Sequence, residues 1–139
     1  MRSKFILVSI LSMLYSIFIF SQSDKAIIDF LREGYWIEFK KVEGKSTGWQ
    51  PRSDELVFTD NGIVSKIFKS KEKFKLSEYS MKPRYKENET IIIFEATGKN
   101  KGGSILHWSG MVDGSKIEGT LKWTNQSGTQ FYTFSGGRK

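Results

Sequence analysis

One stretch of the sequence decides the fold. Residues Ser104 to Gly137 read SILHWSGMVDGSKIEGTLKWTNQSGTQFYTFSGG. Apolar and polar residues alternate in the middle of this stretch, and the apolar side carries Ile117, Gly119, Leu121 and Trp123. A period of two is typical of a strand with one face in a core and the other in water. The stretch therefore predicts three short strands that are joined by tight, glycine-bearing turns.

More strand candidates lie upstream of this stretch. Their apolar and β-branched content places them at residues 35–42, 55–59, 63–68, 74–81 and 90–96. Asn61-Gly62 supplies the positive φ angles of a tight hairpin, and residues 69–73 form a charged turn. A short helix, residues 26–31, ends at Gly34. We predict an all-β fold of about eight antiparallel strands, an up-and-down meander closing into a lipocalin-like barrel, with one short N-terminal helix.

The beginning of the chain has the layout of a secretory signal peptide. Arg2 and Lys4 precede an apolar run from Phe5 to Phe20, and small polar residues follow it. We therefore expect a signal peptide at residues 1–22 and a single β-barrel domain at residues 23–139. A Sec-type signal predicts a secreted or periplasmic protein. The alternative is an uncleaved anchor, although the run is short for a membrane span of about 20 residues.

The composition excludes several kinds of chemistry. The chain has no cysteine, so it forms no disulfides, and thiol catalysis, Cys-ligated zinc and iron–sulfur clusters are excluded. Loss of Arg2 and Lys4 with the signal peptide leaves 20 basic and 15 acidic residues, a net charge of +5. This modest positive charge suits an acidic partner, and it also suits simple solubility.

The layout resembles the calycin group, meaning the lipocalins and their bacterial relatives. A helical segment leads into Gly34-Tyr35-Trp36 at the first strand, a strand meander follows, and Arg138 lies just past the last strand. Lipocalins carry Gly-x-Trp at this place, and an Arg from the barrel end packs over the Trp. The resemblance therefore implies that Arg138 contacts Trp36 and that the barrel holds a ligand. Because Glu38 and Lys40 share the side of Trp36, three alternatives are open: Trp36 points outward, a bulge exchanges the faces, or the interior is polar.

Catalytic signals are weak. His107 is the only histidine, and we expect a strand histidine with an ordinary hydrogen bond rather than a general base or metal ligand. The acidic residues beside turns suit turn chemistry better than glycoside hydrolysis; they are Asp54, Glu55, Asp60, Asp113 and Glu118. We predict no catalytic residue, no metal and no cofactor, and we leave open whether the protein is an enzyme.

Two groups of residues are candidates for binding. Trp49 and Arg52 lie in a polar loop, where core packing does not require an aromatic residue, and with Trp36 they form the predicted ligand-binding set. The second group is a basic hairpin that suits an anionic partner; its residues are Lys66, Lys69, Lys71, Lys73 and Lys75. Nucleic acid is not an expected partner, because the aromatic spacing matches no RNA-binding motif.

Three functions are compatible with these observations. The first is a secreted or periplasmic, non-enzymatic protein that binds a small apolar molecule in the barrel near Trp49 and Arg52. The alternative is a surface module that binds an acidic polysaccharide or a membrane surface through the basic hairpin and exposed aromatics. The third is a small hydrolase that uses His107. An apolar cavity of about 300 Å³ or more favours the first function; a filled barrel, with Trp36 and Trp49 exposed in one patch, favours the second.

Overall fold

The protein is a closed barrel of antiparallel strands. The computed structural model describes residues 25–45, 48–87 and 90–139, so the predicted signal peptide lies outside the described residues. Each strand pairs with the next along the chain, and the last pairs with the first to close the ring. The strands are β1 (Tyr35–Glu43), β2 (Ser53–Phe58), β3 (Gly62–Ser65), β4 (Ser77–Tyr85), β5 (Ile91–Lys99), β6 (Ile105–Asp113), β7 (Lys116–Asn125) and β8 (Gly128–Arg138). The predicted eight-stranded all-β meander is confirmed.

Alternation along the strands fills the interior. In β1 the buried residues Tyr35 and Ile37 alternate with exposed Trp36 and Glu38, so Trp36 points outward, as the first of the three alternatives states. In β7 the side with Ile117 and Leu121 faces inward, as predicted. Aromatic rings dominate the core and meet edge to face; they include Tyr35, Phe58, Phe68, Phe94, Trp108, Trp123, Tyr132 and Phe134. Side chains therefore pack the barrel through its middle.

Inward-facing glycines give two of these rings their space. Gly110 of β6 and Gly119 of β7 are direct cross-strand partners. A Cβ atom at Gly110 would lie 2.6 Å from Cζ of Phe94, and one at Gly119 would lie 2.6 Å from Cζ of Phe134. The rings therefore rest on bare backbone, and this arrangement permits the tight curvature that a closed barrel needs.

Two short helices accompany the barrel in the part of the chain that the structure describes. Helix α1, residues 25–31 within the described range, ends as predicted at Gly34, whose φ is +85° and whose N–H donates to the Leu31 carbonyl oxygen at 3.1 Å. Helix α2 (Lys66–Glu72) was not predicted, and the expected strand to residue 68 and charged turn at residues 69–73 are wrong. Ser65 caps α2, because its Oγ accepts a hydrogen bond from the Phe68 N–H at 3.2 Å.

The fourth strand also differs from the prediction. It starts at Ser77 and runs through Pro83 to Tyr85, instead of covering residues 74–81. Phe74 precedes the strand and is buried in the core. The register between β4 and β5 shifts between Met81 and Arg84, and Pro83 lies within this irregular segment, where its missing N–H is tolerated.

The two ends of the barrel are closed differently. At the end where β1 begins, Leu31 of α1 is fully buried in the core. At the end where β1 finishes, Phe68 of α2 is fully buried and its ring lies 5.1 Å from that of Trp123. Helix α2 thus brings the ring of Phe68 into this end of the barrel, where it packs on Trp123.

Candidate binding groove

Three of the predicted binding residues meet in one groove on the outside of the barrel. Trp36 comes from β1, and Lys66 and Lys71 come from α2. The groove has a volume of about 370 Å³. Its other lining residues are Ser53, Asp54 and Glu55 of β2 and Ile67 and Ser70 of α2. The groove therefore brings together residues of the predicted ligand-binding set and residues of the predicted basic hairpin.

Trp36 gives the groove an aromatic wall. Its side chain is 57% exposed, which is unusual for the largest apolar side chain. The ammonium Nζ of Lys139 lies 5.0 Å from the ring centroid, at cation–π distance. The implied contact of Arg138 with Trp36 is wrong: the Arg138 guanidinium lies 4.1 Å from the Phe30 ring and donates a hydrogen bond to the Phe30 carbonyl oxygen. The basic residue over the tryptophan is thus the next one along the chain.

Glu55 organises the lysines around Trp36. One carboxylate oxygen lies 2.6 Å from Nζ of Lys66, and the other accepts a hydrogen bond from Nζ of Lys139. These hydrogen bonds, first from Lys139 and then from Lys66, lower the pKa of Glu55, although burial acts in the opposite direction. The Glu55 side chain is only 7% exposed, and its hydrogen bonds with the two lysines keep the carboxylate ionised, so it fixes two ammonium groups beside the aromatic ring.

Asp54 fastens α2 to the barrel. Its Oδ1 accepts hydrogen bonds from the Glu55 N–H at 2.7 Å and from the Ile67 N–H at 2.9 Å, and its Oδ2 accepts one from the Ser65 hydroxyl. Burial raises the pKa of Asp54, and the hydrogen bonds oppose that shift. Because both of its oxygens hold the first turn of α2, Asp54 serves to position the helix that carries Lys66 and Lys71.

Helical geometry explains which lysines reach the groove. Residues 66, 67, 70 and 71 are spaced so that they share one face of a helix, and these four line the groove. Lys69 points from another face, and Lys73 ends the helix in the left-handed conformation with φ of +59°. Lys75 lies in the segment before β4. The structure thus places Lys66 and Lys71 in the groove and Lys69, Lys73 and Lys75 outside it, whereas the predicted basic hairpin grouped all five lysines.

Trp49 and Arg52 lie outside the groove. The Trp49 ring is half-buried against Phe68 and Trp123, each with its ring centroid 5.3 Å away, and Nε1 donates to Glu72 at 2.8 Å. Arg52 is exposed, and its carbonyl oxygen accepts from the Phe39 N–H at 2.7 Å. Trp49 therefore packs over the end of the barrel, and it does not form one exposed patch with Trp36, the arrangement that would favour a surface module.

His107 sits on the outer face of β6. Its Nδ1 lies 2.9 Å from Oγ1 of Thr97 on the neighbouring strand. Across residues 25–45, 48–87 and 90–139, no group of three or more His, Cys, Asp or Glu side chains is placed to hold a metal ion. In the same ranges, no helix has the length and apolar character to cross a membrane.

The groove was only partly visible in the sequence. Trp36, Lys66 and Lys71 were recognised, whereas Lys139, Ser70 and the positioning role of Asp54 were missed. A sequence signal that predicts α2, and with it the position of Ser70, was available in Ser65, a good N-cap residue before a run of helix-forming lysine and glutamate. Comparisons of the chain with protein-family models, with curated proteins and with solved structures gave no significant match.

Proposed function

We propose that this is an exported, non-enzymatic binding protein that holds an acidic saccharide in the groove beside Trp36. The observation that carries the proposal is the exposed indole of Trp36, flanked by Lys66, Lys71 and Lys139. The predicted signal peptide supports the location, since an exported protein meets the polysaccharides of cell envelopes and their surroundings.

An exposed indole suits a sugar ring. The C–H groups on one face of a pyranose form a flat apolar surface, and they pack on an aromatic ring while the hydroxyl groups stay in water. Ser53 and Ser70 line the same groove and offer hydroxyl groups to the sugar edge. The groove thus combines an apolar platform with a few polar groups, which is the usual composition of a small-molecule site.

The lysines favour an acidic sugar over a neutral one. Lys66 and Lys139 are paired with Glu55, and Lys71 adds a further positive charge, so three ammonium groups stand against the two carboxylates of Glu55 and Asp54 and leave a formal charge of +1 around Trp36. A uronate or sulfate group would accept charge-assisted hydrogen bonds from them. Catalysis is less suited to this groove, because the oxygens of Asp54 and Glu55 are already engaged.

Titration calorimetry with alginate oligosaccharides of about six uronate units tests the proposal. We expect saturable binding that weakens with salt, because exposed charges are screened. Trp36→Ala should reduce the affinity by about tenfold, equivalent to about 1.4 kcal/mol. Adding Lys66→Gln and Lys71→Gln to Trp36→Ala should reduce the affinity further. Lys101→Gln, an exposed lysine in the β5–β6 turn, is the matched control and should leave the affinity unchanged.

Two results would refute the proposal. One is the absence of binding to alginate by the folded wild type. The other is equal binding by wild type and Trp36→Ala, since the indole is then not part of the site. Dextran, a neutral polysaccharide, should bind at least tenfold more weakly if the lysines select the acidic group, and thermal melts should show that the variants remain folded.

A lipocalin-like protein with an apolar ligand inside the barrel is the second candidate. It is favoured by Nε1 of Trp123, which is buried and meets no acceptor among the described residues. A ligand that carries an acceptor and displaces Trp49 would satisfy this group. Trp49→Ala should then increase the fluorescence of an added anilinonaphthalene sulfonate probe at least threefold over wild type, and an unchanged signal would exclude this function.

A further inference from the structure

A second concavity on the outer surface carries no assigned role. It is a trough of about 690 Å³ that shares no lining residue with the Trp36 groove. The trough crosses six neighbouring strands, from β1 through β8, β7, β6 and β5 to β4. At about 4.8 Å between adjacent strands, its length is about 24 Å. These dimensions suit an elongated ligand that lies across the strands.

Strand register arranges the lining in two parallel rows. The first row runs Glu38, Ser135, Glu118, Met111 and Ile93. The second row runs Lys40, Thr133, Thr120, Ser109, Glu95 and Met81. The small hydroxyl side chains of Thr133, Thr120 and Ser109 occupy the middle of the second row, and the bare backbone of Gly110 and Gly119 lies between the two rows.

The chemistry of the trough changes along its length. Towards β4 and β5 the surface is aliphatic, with Met81, Ile93 and Met111. The carboxylate of Glu95 lies beside Met81 at this end, and the remaining surface presents hydroxyl groups and the carboxylates of Glu38 and Glu118 against the single ammonium of Lys40. The trough thus has a formal charge of −2 on a chain whose net charge is +7. This reversal of sign favours a cationic ligand and disfavours the acidic saccharide proposed for the groove.

We infer that the trough binds an extended polypeptide segment that carries basic and aliphatic side chains. Glu38 and Glu118 are separated by two strand spacings, about 10 Å, close to one three-residue turn of a polyproline II helix at about 3.1 Å per residue. Because residues three apart share one face of that helix, basic side chains at every third position reach both carboxylates, and aliphatic side chains further along the segment contact Met111 and Ile93. A glycan is less suited to this surface, because its lining residues include no exposed aromatic platform.

Fluorescence anisotropy with a labelled peptide of about ten residues tests the inference. The peptide has lysine at every third position, with isoleucine and serine between the lysines, and polyproline II geometry, with three residues per turn and about 3.1 Å per residue, matches the lysines to the carboxylates. We expect saturable binding that weakens with salt. Glu38→Gln combined with Glu118→Gln should reduce the affinity at least tenfold. Glu87→Gln removes an exposed carboxylate outside the trough and should leave the affinity unchanged.

A steric variant separates the trough from general charge attraction. Thr120 is exposed in the middle of the trough, so Thr120→Trp fills the trough, keeps the charge and leaves the core untouched. Loss of peptide binding in Thr120→Trp, with full binding in Trp36→Ala, supports the inference independently of the function proposed for the groove. Equal binding by wild type and Thr120→Trp overturns it. Concentration-dependent dimers in sedimentation that Thr120→Trp abolishes would assign the trough to a second copy of the chain and would also overturn it.

Discussion

Replacement of Asp54 tests the idea that one buried carboxylate fastens α2 and its lysines to the barrel. Asp54 accepts hydrogen bonds from the backbone N–H groups of Glu55 and Ile67 and from the Ser65 hydroxyl. Alanine would leave these donors without their acceptor in a buried site. Asparagine would keep Oδ1 for both N–H groups, and its amide would donate to the Ser65 oxygen, which already accepts from Phe68.

The expected magnitudes differ between the two variants. A buried polar group that loses its partner costs about 1–3 kcal/mol, and partial relaxation and water entry reduce the sum. We therefore expect Asp54→Ala to lower the free energy of unfolding by about 3 kcal/mol and Asp54→Asn by about 1 kcal/mol or less. The alanine variant should also weaken binding to alginate, because Lys66 and Lys71 lose their fixed position.

The pH dependence adds a second readout with a defined sign. Burial holds the pKa of Asp54 above its ordinary value, so the folded protein binds this proton more tightly than the unfolded chain does. The free energy of unfolding of wild type should therefore rise relative to Asp54→Asn as the pH falls through the folded-state pKa. This relative gain in the free energy of unfolding should be complete below the pKa of an aspartate in the unfolded chain, about 3.9.

Urea unfolding followed by circular dichroism measures these differences, at about pH 7 and about pH 4, because the denaturation midpoint converts to free energy through the slope m. The reasoning is wrong if Asp54→Ala stays within about 1 kcal/mol of wild type, or if Asp54→Asn loses as much as Asp54→Ala. A relative stability of wild type and Asp54→Asn that does not change with pH would contradict the raised pKa.

Three further substitutions test other parts of the barrel. Gly119→Ala would press Cβ against the Ser109 carbonyl oxygen and place it 2.6 Å from Cζ of Phe134, so we expect a loss of about 2–3 kcal/mol in urea unfolding; a neutral result would contradict the close approach of backbone and ring at this glycine. Lys73→Gly relieves the left-handed conformation that ends α2, and the net gain should be about 0.5 kcal/mol and a higher Tm; a lower Tm would show that Lys73 is not strained. Trp49→Ala should cost about 2 kcal/mol, whereas Trp49→Phe, which loses the hydrogen bond to Glu72 and the part of the indole that phenyl lacks, should cost about 1 kcal/mol; equal losses would show that the ring packing retained by phenylalanine contributes nothing.

Much of the fold was predictable because it rests on local patterns. Alternation with period two identified the inner faces of β1 and β7, and Asn61-Gly62 located the hairpin between β2 and β3. The helix α2 was missed because its stability comes from tertiary contacts. Phe68 is buried at the barrel end, and Asp54, distant in sequence, accepts from its first turn.

The candidate site was harder to predict than the fold. A lysine-rich segment has the same composition whether it forms a hairpin or a helix, and only the helix separates Lys66 and Lys71 from Lys69. Trp49 was expected in a binding site because its loop is polar, yet its ring packs on Trp123, which lies far along the chain. A loop residue's neighbours depend on where the chain returns in space, and sequence spacing does not contain that information.

The sequence by itself determined the class of fold, because hydrophobic alternation and turn residues act over a few positions. The tertiary structure decided what surrounds each exposed side chain. Closure of β8 on β1 brings Lys139 to Glu55, 84 positions away in sequence, and sets its ammonium above Trp36. The trough crosses the pairing of β8 with β1, so it exists because the ring is closed, and closure depends on the packing of all the strands together rather than on any one segment.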